Sequence, residues 1–276
     1  MRKLVIIAVI FTTISSYAQN WGNFGKQQAS ITPNVIVDNS ELQCLYQHTV
    51  YDTILAEHKD FYEILEIGKY YSKYGNYGSY QLDSALNELG DTPITNDDFK
   101  ILANKYDPSW ECIIKNIQTE SLKVYGKIFT DRYVYEEEIE NIKWNLHKEH
   151  QIICGYECYK ATTTFRGREW IAWYSDIPLS NGPWKFGNLP GLILKVEDSK
   201  QEHVFTAIMI KRDQTDFGYK KFQYFKTTRQ KYNESLIEYM NESHKFFTGD
   251  LQPRNIDGSP LKIQKRKRFF NSIELE

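Results

Sequence analysis

Only three methionines and eight prolines occur in this 276-residue chain, long apolar runs are scarce, and neither sign of charge dominates. Each shortage excludes something. The one clear apolar run, Leu4 to Phe11, falls far short of the roughly 20 residues of a bilayer span, and no later segment is longer or more apolar. A transmembrane segment is therefore excluded. With 34 Lys and Arg against 36 Asp and Glu there is no cationic surplus, so nucleic acid is a poor partner. The standard catalytic signatures are also missing: there is no G-x-S-x-G elbow, H-E-x-x-H helix, Walker loop or C-x-x-C pair. No catalytic residue, metal or cofactor is implied.

What is present is aromatic. Twenty Tyr, fifteen Phe and six Trp suit a sheet-rich fold, because aromatic side chains cover a pleated surface well. A composition of 41% hydrophobic and 25% charged residues excludes a collagen-like, low-complexity or disordered chain. The N-terminus has the form of a secretory signal peptide over residues 1–18, with Arg2 and Lys3, the apolar run, then Ser16-Tyr17-Ala18. The chain is thus expected in the periplasm, on the cell surface or outside the cell. No cysteine stands near the cleavage site to carry a lipid anchor. The four cysteines, Cys44, Cys112, Cys154 and Cys158, are an even number in an exported chain and read first as two disulfides.

Residues 19–40 lack a clear period and read as an extended lead-in to a single β-rich domain over 41–276. Strand character is predicted over Leu42–Thr53 and Asp60–Tyr71, then a Gly/Tyr/Ser loop over Tyr74–Tyr80, then helices over Gln81–Leu89 and Asn96–Tyr106. Further strands are expected from Trp110 onward, including one continuous strand over Ile152–Phe165, and a C-terminal helix over Thr228–Ser243. The fold class is α+β: one large, curved antiparallel sheet with a helical insertion. Lys262, Lys265, Arg266, Lys267 and Arg268 read as a solvated basic edge.

Two places carry candidate chemistry. His147, His150, Cys154 and Cys158 are the densest run of metal-ligand types, but their H-x2-H-x3-C-x3-C spacing matches no zinc module and reads as turn histidines with oxidised cysteines. On a continuous strand Cys154 and Cys158 would lie about 13 Å apart, beyond the ~7 Å limit for bridging. Pairing with Cys44 and Cys112 is then expected, unless Gly155 breaks the strand. The second place is Phe165–Asp198. Here Arg166 and Arg168 offer contacts to carboxylate or phosphate, Trp173 and Trp184 offer stacking surfaces, and three Pro turns precede an apolar strand. It reads either as a rigid structural crossover or as a recognition loop using Arg166, Arg168, Trp173, Asp176, Trp184, Phe186, Leu189, Pro190 and Gly191. In the turn, Gly191 is expected at positive φ.

The same region resembles the GLPGLI family of exported envelope proteins. The resemblance rests on Gly155-Tyr156, Cys158, Lys160-Ala161, Gly167-Arg168, Ala172-Trp173, Ile177-Pro178, Gly182-Pro183, Leu189 to Ile193 and the terminal Ile273-Glu274-Leu275. Asn188 replaces the first Gly of the name-giving motif. The resemblance implies export and an architecture like the envelope lipoprotein carriers, a sheet curved into a cup, but transfers no catalytic residues. The expected function is non-enzymatic binding of an apolar or peptide-like ligand, or of an envelope protein partner. The alternatives are an envelope hydrolase using Arg168 and Asp176, and a structural module.

Overall fold

A computed structural model describes residues 24–265 and 268–276. The predicted signal peptide, the first part of the predicted lead-in, Arg266 and Lys267 lie outside the described residues. Contacts divide the chain into two compact units: residues 24–33 with Gly78–Pro108, and Asn34–Tyr77 with Ser109–Glu276. The smaller unit holds most of helix α1 (Tyr77–Leu89) and helix α2 (Asn96–Tyr106). Thr95, one residue ahead of the expected start, caps α2 in a capping box with Asp98.

The larger unit is one open, mostly antiparallel sheet. Its strands in chain order are β1 (Asn34–Asp52), β2 (Glu57–Gly68), β3 (Tyr71–Asn76), β4 (Cys112–Asn116), β5 (Ser121–Ile128), β6 (Asp131–Glu138), β7 (Asn145–Ile153), β8 (Tyr156–Phe165), β9 (Arg168–Ser175), β10 (Ile193–Asp198), β11 (His203–Lys211), β12 (Asp216–Lys220) and β13 (Phe225–Lys226). The spatial order is β13-β6-β5-β4-β3-β2-β1-β11-β10-β9-β8-β7, with β12 paired to the first part of β1. Helix α3 (Arg229–Glu242) follows, capped by the Thr228 side chain. The α+β class, the large sheet and the C-terminal helix agree with the sequence.

Several boundaries differ from expectation. Strand β1 starts at Asn34, inside the predicted lead-in, because β12 pairs with it there. The predicted Tyr74–Tyr80 loop is instead the end of β3 and the start of α1. The predicted strand Ile152–Phe165 is broken: Cys154 (φ 51°) and Gly155 (φ 83°) form a two-residue turn between β7 and β8.

Register decides what shares a face. Cys44 pairs with Leu65, Leu65 with Tyr74, Tyr74 with Ile113 and Ile113 with Val124, a row of apolar neighbours across β1 to β5. Side chains alternate along each strand, so Cys44, Tyr46, His48 and Val50 of β1 belong to the same face as this row. Cys112, one residue from Ile113, points to the opposite face and packs with Ile114 and Tyr125 in a separate cluster. The main core joins this row to Cys158, Ala161, Trp170, Ala172, Val196 and Phe205 of the other half of the sheet.

Candidate functional site

The segment that carries the sequence motifs is buried inside this core. Phe186, Leu189, Leu192 and Ile193 are all at most 1% exposed. Phe186 meets Trp170 edge-on at 4.8 Å and Trp184 at 5.2 Å. The Tyr46 hydroxyl donates to Ile193 O at 2.6 Å, and Lys115 of β4 donates to Asn181 Oδ1 at 3.0 Å and Phe186 O at 2.6 Å. Burial pushes the Lys115 ammonium down to about 7.

The Leu189–Ile193 turn differs from expectation in its backbone. Gly191 is not at positive φ; a Cβ there would lie 1.7 Å from Ser175 O, so the glycine is required by close backbone approach. Asn188 takes the left-handed conformation instead (φ 63°), and its Oδ1 accepts from Ile142 N at 3.2 Å. Pro190 and Asp176 are exposed, and Trp173 is half-buried against the core.

Arg168 is saturated. A guanidinium has five N–H donors, and those of Arg168 reach Ile273 O, Asp198 Oδ2, Glu202 Oε2, Asn271 Oδ1 and Ser272 O at 2.6–3.1 Å. The Arg168 hydrogen bond is the main cause holding Glu202 below the usual carboxylate range. Arg166 pairs with Glu137 at 3.1 Å and with Glu140, and Lys185 with Glu137 and Glu274, both at 2.5 Å. Burial raises the Glu274 carboxyl, but Lys185, Arg229 and Asn233 outweigh it and leave it lowered. These charges fasten the chain terminus to the sheet, and Arg168 and Asp176 form no common site.

The terminus so held is one wall of a cavity of about 570 Å³. Residues 269–274 line it together with α3, which contributes Tyr232, Leu236 and Met240 at successive turns, and with β1, β2 and β11. On β1, His48 stands opposite Phe61 of β2 and Phe205 of β11. Its ring stacks on Phe205 at 3.7 Å. Two residues along on the neighbouring strands lie Glu63 and His203, which brings His48 Nδ1 to 3.1 Å from Glu63 Oε2 and His48 Nε2 to 3.2 Å from His203 Nδ1. The Tyr74 hydroxyl donates to the same Glu63 oxygen at 2.5 Å.

Burial acts against the charged Glu63 carboxylate, but the His48 and Tyr74 contacts prevail and its pKa is lowered. His203 is pushed down to about 3, first by burial, then by His48 and Arg168. The arrangement can hold an apolar body against Phe61, Val124, Leu236, Met240 and Phe269 and offer it a few polar contacts. None of the histidine pair was singled out from sequence. The available signal was an imidazole in the alternating row Cys44, Tyr46, His48, Val50, a polar ring on an apolar face.

The run of metal-ligand types His147, His150, Cys154 and Cys158 does not converge: His147 Nε2 meets Thr162 Oγ1 at 2.8 Å and His150 packs on Tyr159. Among the described residues no group of three or more His, Cys, Asp or Glu is placed to hold a metal. The two-disulfide expectation is not met either, since all four cysteines are free thiols. Cys112 lies three strands from Cys44 and on the other face, which no bridge can span. Burial pushes the Cys44 and Cys112 thiols up to about 12, so neither is a reactive thiolate. In the basic C-terminal run, Lys265 pairs with Glu242 and Arg268 lies over the Tyr239 ring at 4.7 Å. No helix among the described residues is long and apolar enough to cross a membrane.

No family model and no curated protein matches the chain. Among solved structures, PNGF-II in a C2 crystal form is similar with a TM-score of 0.50 and 14% identity, covering 74% of this chain and 34% of PNGF-II. PNGF-II in a P21 form gives a TM-score of 0.49 at the same identity and coverage. The likeness is one of fold, and this chain spans about a third of the length of PNGF-II.

Proposed function

We propose that this chain is an exported protein of the cell envelope, of the GLPGLI type that its motifs resemble, and that it binds a small apolar or peptide-like molecule in the cavity between its sheet, α3 and its C-terminal segment. The observation that carries this reading is the cavity itself. Its volume of about 570 Å³ falls within the range of small-molecule sites, and its lining sets aromatic and aliphatic side chains such as Phe61, Leu236 and Phe269 beside polar ones such as Glu63, Asn76 and Asn233. The large antiparallel sheet with its motif segment packed on one face supports the analogy with the cup of the envelope lipoprotein carriers. A hydrolase built on Arg168 and Asp176 gains no support, because the first is saturated internally and the second stands on the surface.

The test is native mass spectrometry of protein purified from the envelope, beside a Leu236→Trp variant whose larger side chain fills the cavity. The expected result is a bound mass on the wild type that is lost from the variant. Wild-type protein that carries nothing from the envelope, and rebinds nothing from an envelope extract, would overturn the proposal.

A further inference from the structure

Three carboxylates and one ammonium line the cavity: Glu63, Glu111, Glu274 and Lys59. Two of the carboxylates are spent. Glu111 accepts from Ser109 Oγ at 2.9 Å on one oxygen and from Lys127 N at 3.0 Å on the other. Glu274 accepts from Lys185 on one oxygen and from Arg229 and Asn233 on the other. Glu63 differs. Its Oε2 meets both the Tyr74 hydroxyl and His48 Nδ1, whereas its Oε1 has no donor among the described residues and keeps accessible surface.

The direction of that surface follows from the strand. Side chains alternate, so Glu63 shares a face of β2 with Phe61 and Leu65, and the paired strands β1 and β3 flank it at Tyr46 and Asn76. The side chain is nonetheless 25% exposed. Because Glu63 stands on the core-facing side and lines the cavity, the cavity is where this exposed part opens.

The free oxygen is fixed in place and charged. An ionised carboxylate only accepts, so His48 Nδ1 and the Tyr74 hydroxyl both donate to Oε2 and hold the group in one orientation. Burial raises the Glu63 carboxyl, but His48 and Tyr74 outweigh it and leave it lowered, an anion at neutral pH. The nearby rings suit a cation as well. Phe61 and Phe269 already face an ammonium, with Lys59 Nζ at 5.1 and 5.9 Å from their centroids. Lys59 itself is exposed and four residues from Glu63 along β2, about 13 Å, where solvent screens it from the inner oxygen.

We propose that the cavity takes an amine: an ammonium group that donates to Glu63 Oε1, joined to an aromatic or short aliphatic body that lies among Phe61, Leu236 and Phe269. His48 and Tyr74 act as positioning residues, since they occupy Oε2 and so present Oε1 to the ligand. The inference rests on the cavity as the ligand site and narrows the ligand to an organic cation.

The experiment titrates the full chain by calorimetry with three probes of one shape: 2-phenylethylamine, 2-phenylethanol and 3-phenylpropionate. The amine should bind about tenfold more tightly than the alcohol, the difference between a charge-assisted and a neutral hydrogen bond, and the carboxylate should bind most weakly. Glu63→Gln keeps the shape and removes the charge, so it should abolish the preference for the amine and leave alcohol binding unchanged. Leu236→Trp should abolish binding of the amine and the alcohol alike. Wild-type protein labelled with ¹³C-glutamate gives a reading that needs no variant: the Glu63 carboxyl signal should move with the amine and stay with the alcohol. A signal unmoved by the amine, an amine preference that survives Glu63→Gln or Leu236→Trp, or tighter binding of the carboxylate each overturns the proposal. Alcohol binding without any preference for the amine overturns it alone and leaves the cavity reading standing, whereas no binding of any probe overturns both.

Discussion

Two polar clusters lie inside the larger unit, and they differ in one respect. Around Arg168 and Lys185 every charge meets an opposite charge or a carbonyl: all five Arg168 hydrogens are taken, and Lys185 lies between Glu137 and Glu274. Around His48 the chain of contacts ends at a nitrogen with no partner. Neither network is fully satisfied, since Arg166 Nε and Glu137 Oε1 beside the first also lack a hydrogen-bond partner; the first is built of full ion pairs that hold the C-terminal segment rigidly, whereas the second ends in a buried neutral imidazole. Of the residues that looked most like a recognition surface, Arg166, Arg168, Trp184, Phe186, Leu189 and Gly191 are buried, whereas Asp176 and Pro190 are exposed and Trp173 is half-buried.

The largest expected effect tests that division directly. Arg168→Met leaves Asp198 buried without its counter-charge and frees the terminus, and should cost about 3–5 kcal/mol of stability. His203→Phe removes a neutral imidazole and its Nδ1 contact with His48 Nε2 but no ion pair, and should cost less, about 1–2 kcal/mol. Urea denaturation of both variants reads the contrast, and equal losses would break it.

Next in size is the motif turn. Gly191→Ala sets a Cβ against Ser175 O, where the available separation is 1.7 Å, and should cost about 3 kcal/mol through forced backbone displacement. A thermal melt matching wild type would show that the turn can shift freely, and that the motif segment is less firmly packed than its burial implies.

The smallest effect sharpens the comparison with a third buried cation. Lys115, unlike Lys185, has only neutral acceptors, and its pKa lies near 7 when folded against 10.5 when free. Between those values the unfolded chain binds the proton and the folded chain does not, so stability rises with pH; below about 7 both are charged and the cost is constant. Wild type should gain on the order of 2 kcal/mol relative to Lys115→Met between about pH 7 and pH 9, measured by chemical denaturation at each pH. A flat difference would place a counter-charge beside Lys115.

Much of the sheet was legible because Tyr, Val and Ile alternate along it, and α2 because Asn96–Tyr106 has helical spacing behind an acidic first turn. The reading failed where glycine was taken as a sign of a turn. Gly75 lies within β3, where a side chain would crowd Cys112 Cβ at 3.1 Å, so its smallness serves cross-strand packing. The opposite error fell at Cys154-Gly155, a real two-residue turn hidden in a β-rich run.

The candidate site was not legible, because its members come from strands far apart in the chain: His48 and His203 are 155 positions apart. Sequence by itself determined the β-rich α+β class and the C-terminal helix, since these follow from local periodicity. Tertiary structure alone decided that Arg168 is spent on the chain terminus, that Cys112 faces away from Cys44, and that Glu63, His48 and His203 meet. Each of these depends on strand register, and a shift of one residue would turn every such side chain to the other face.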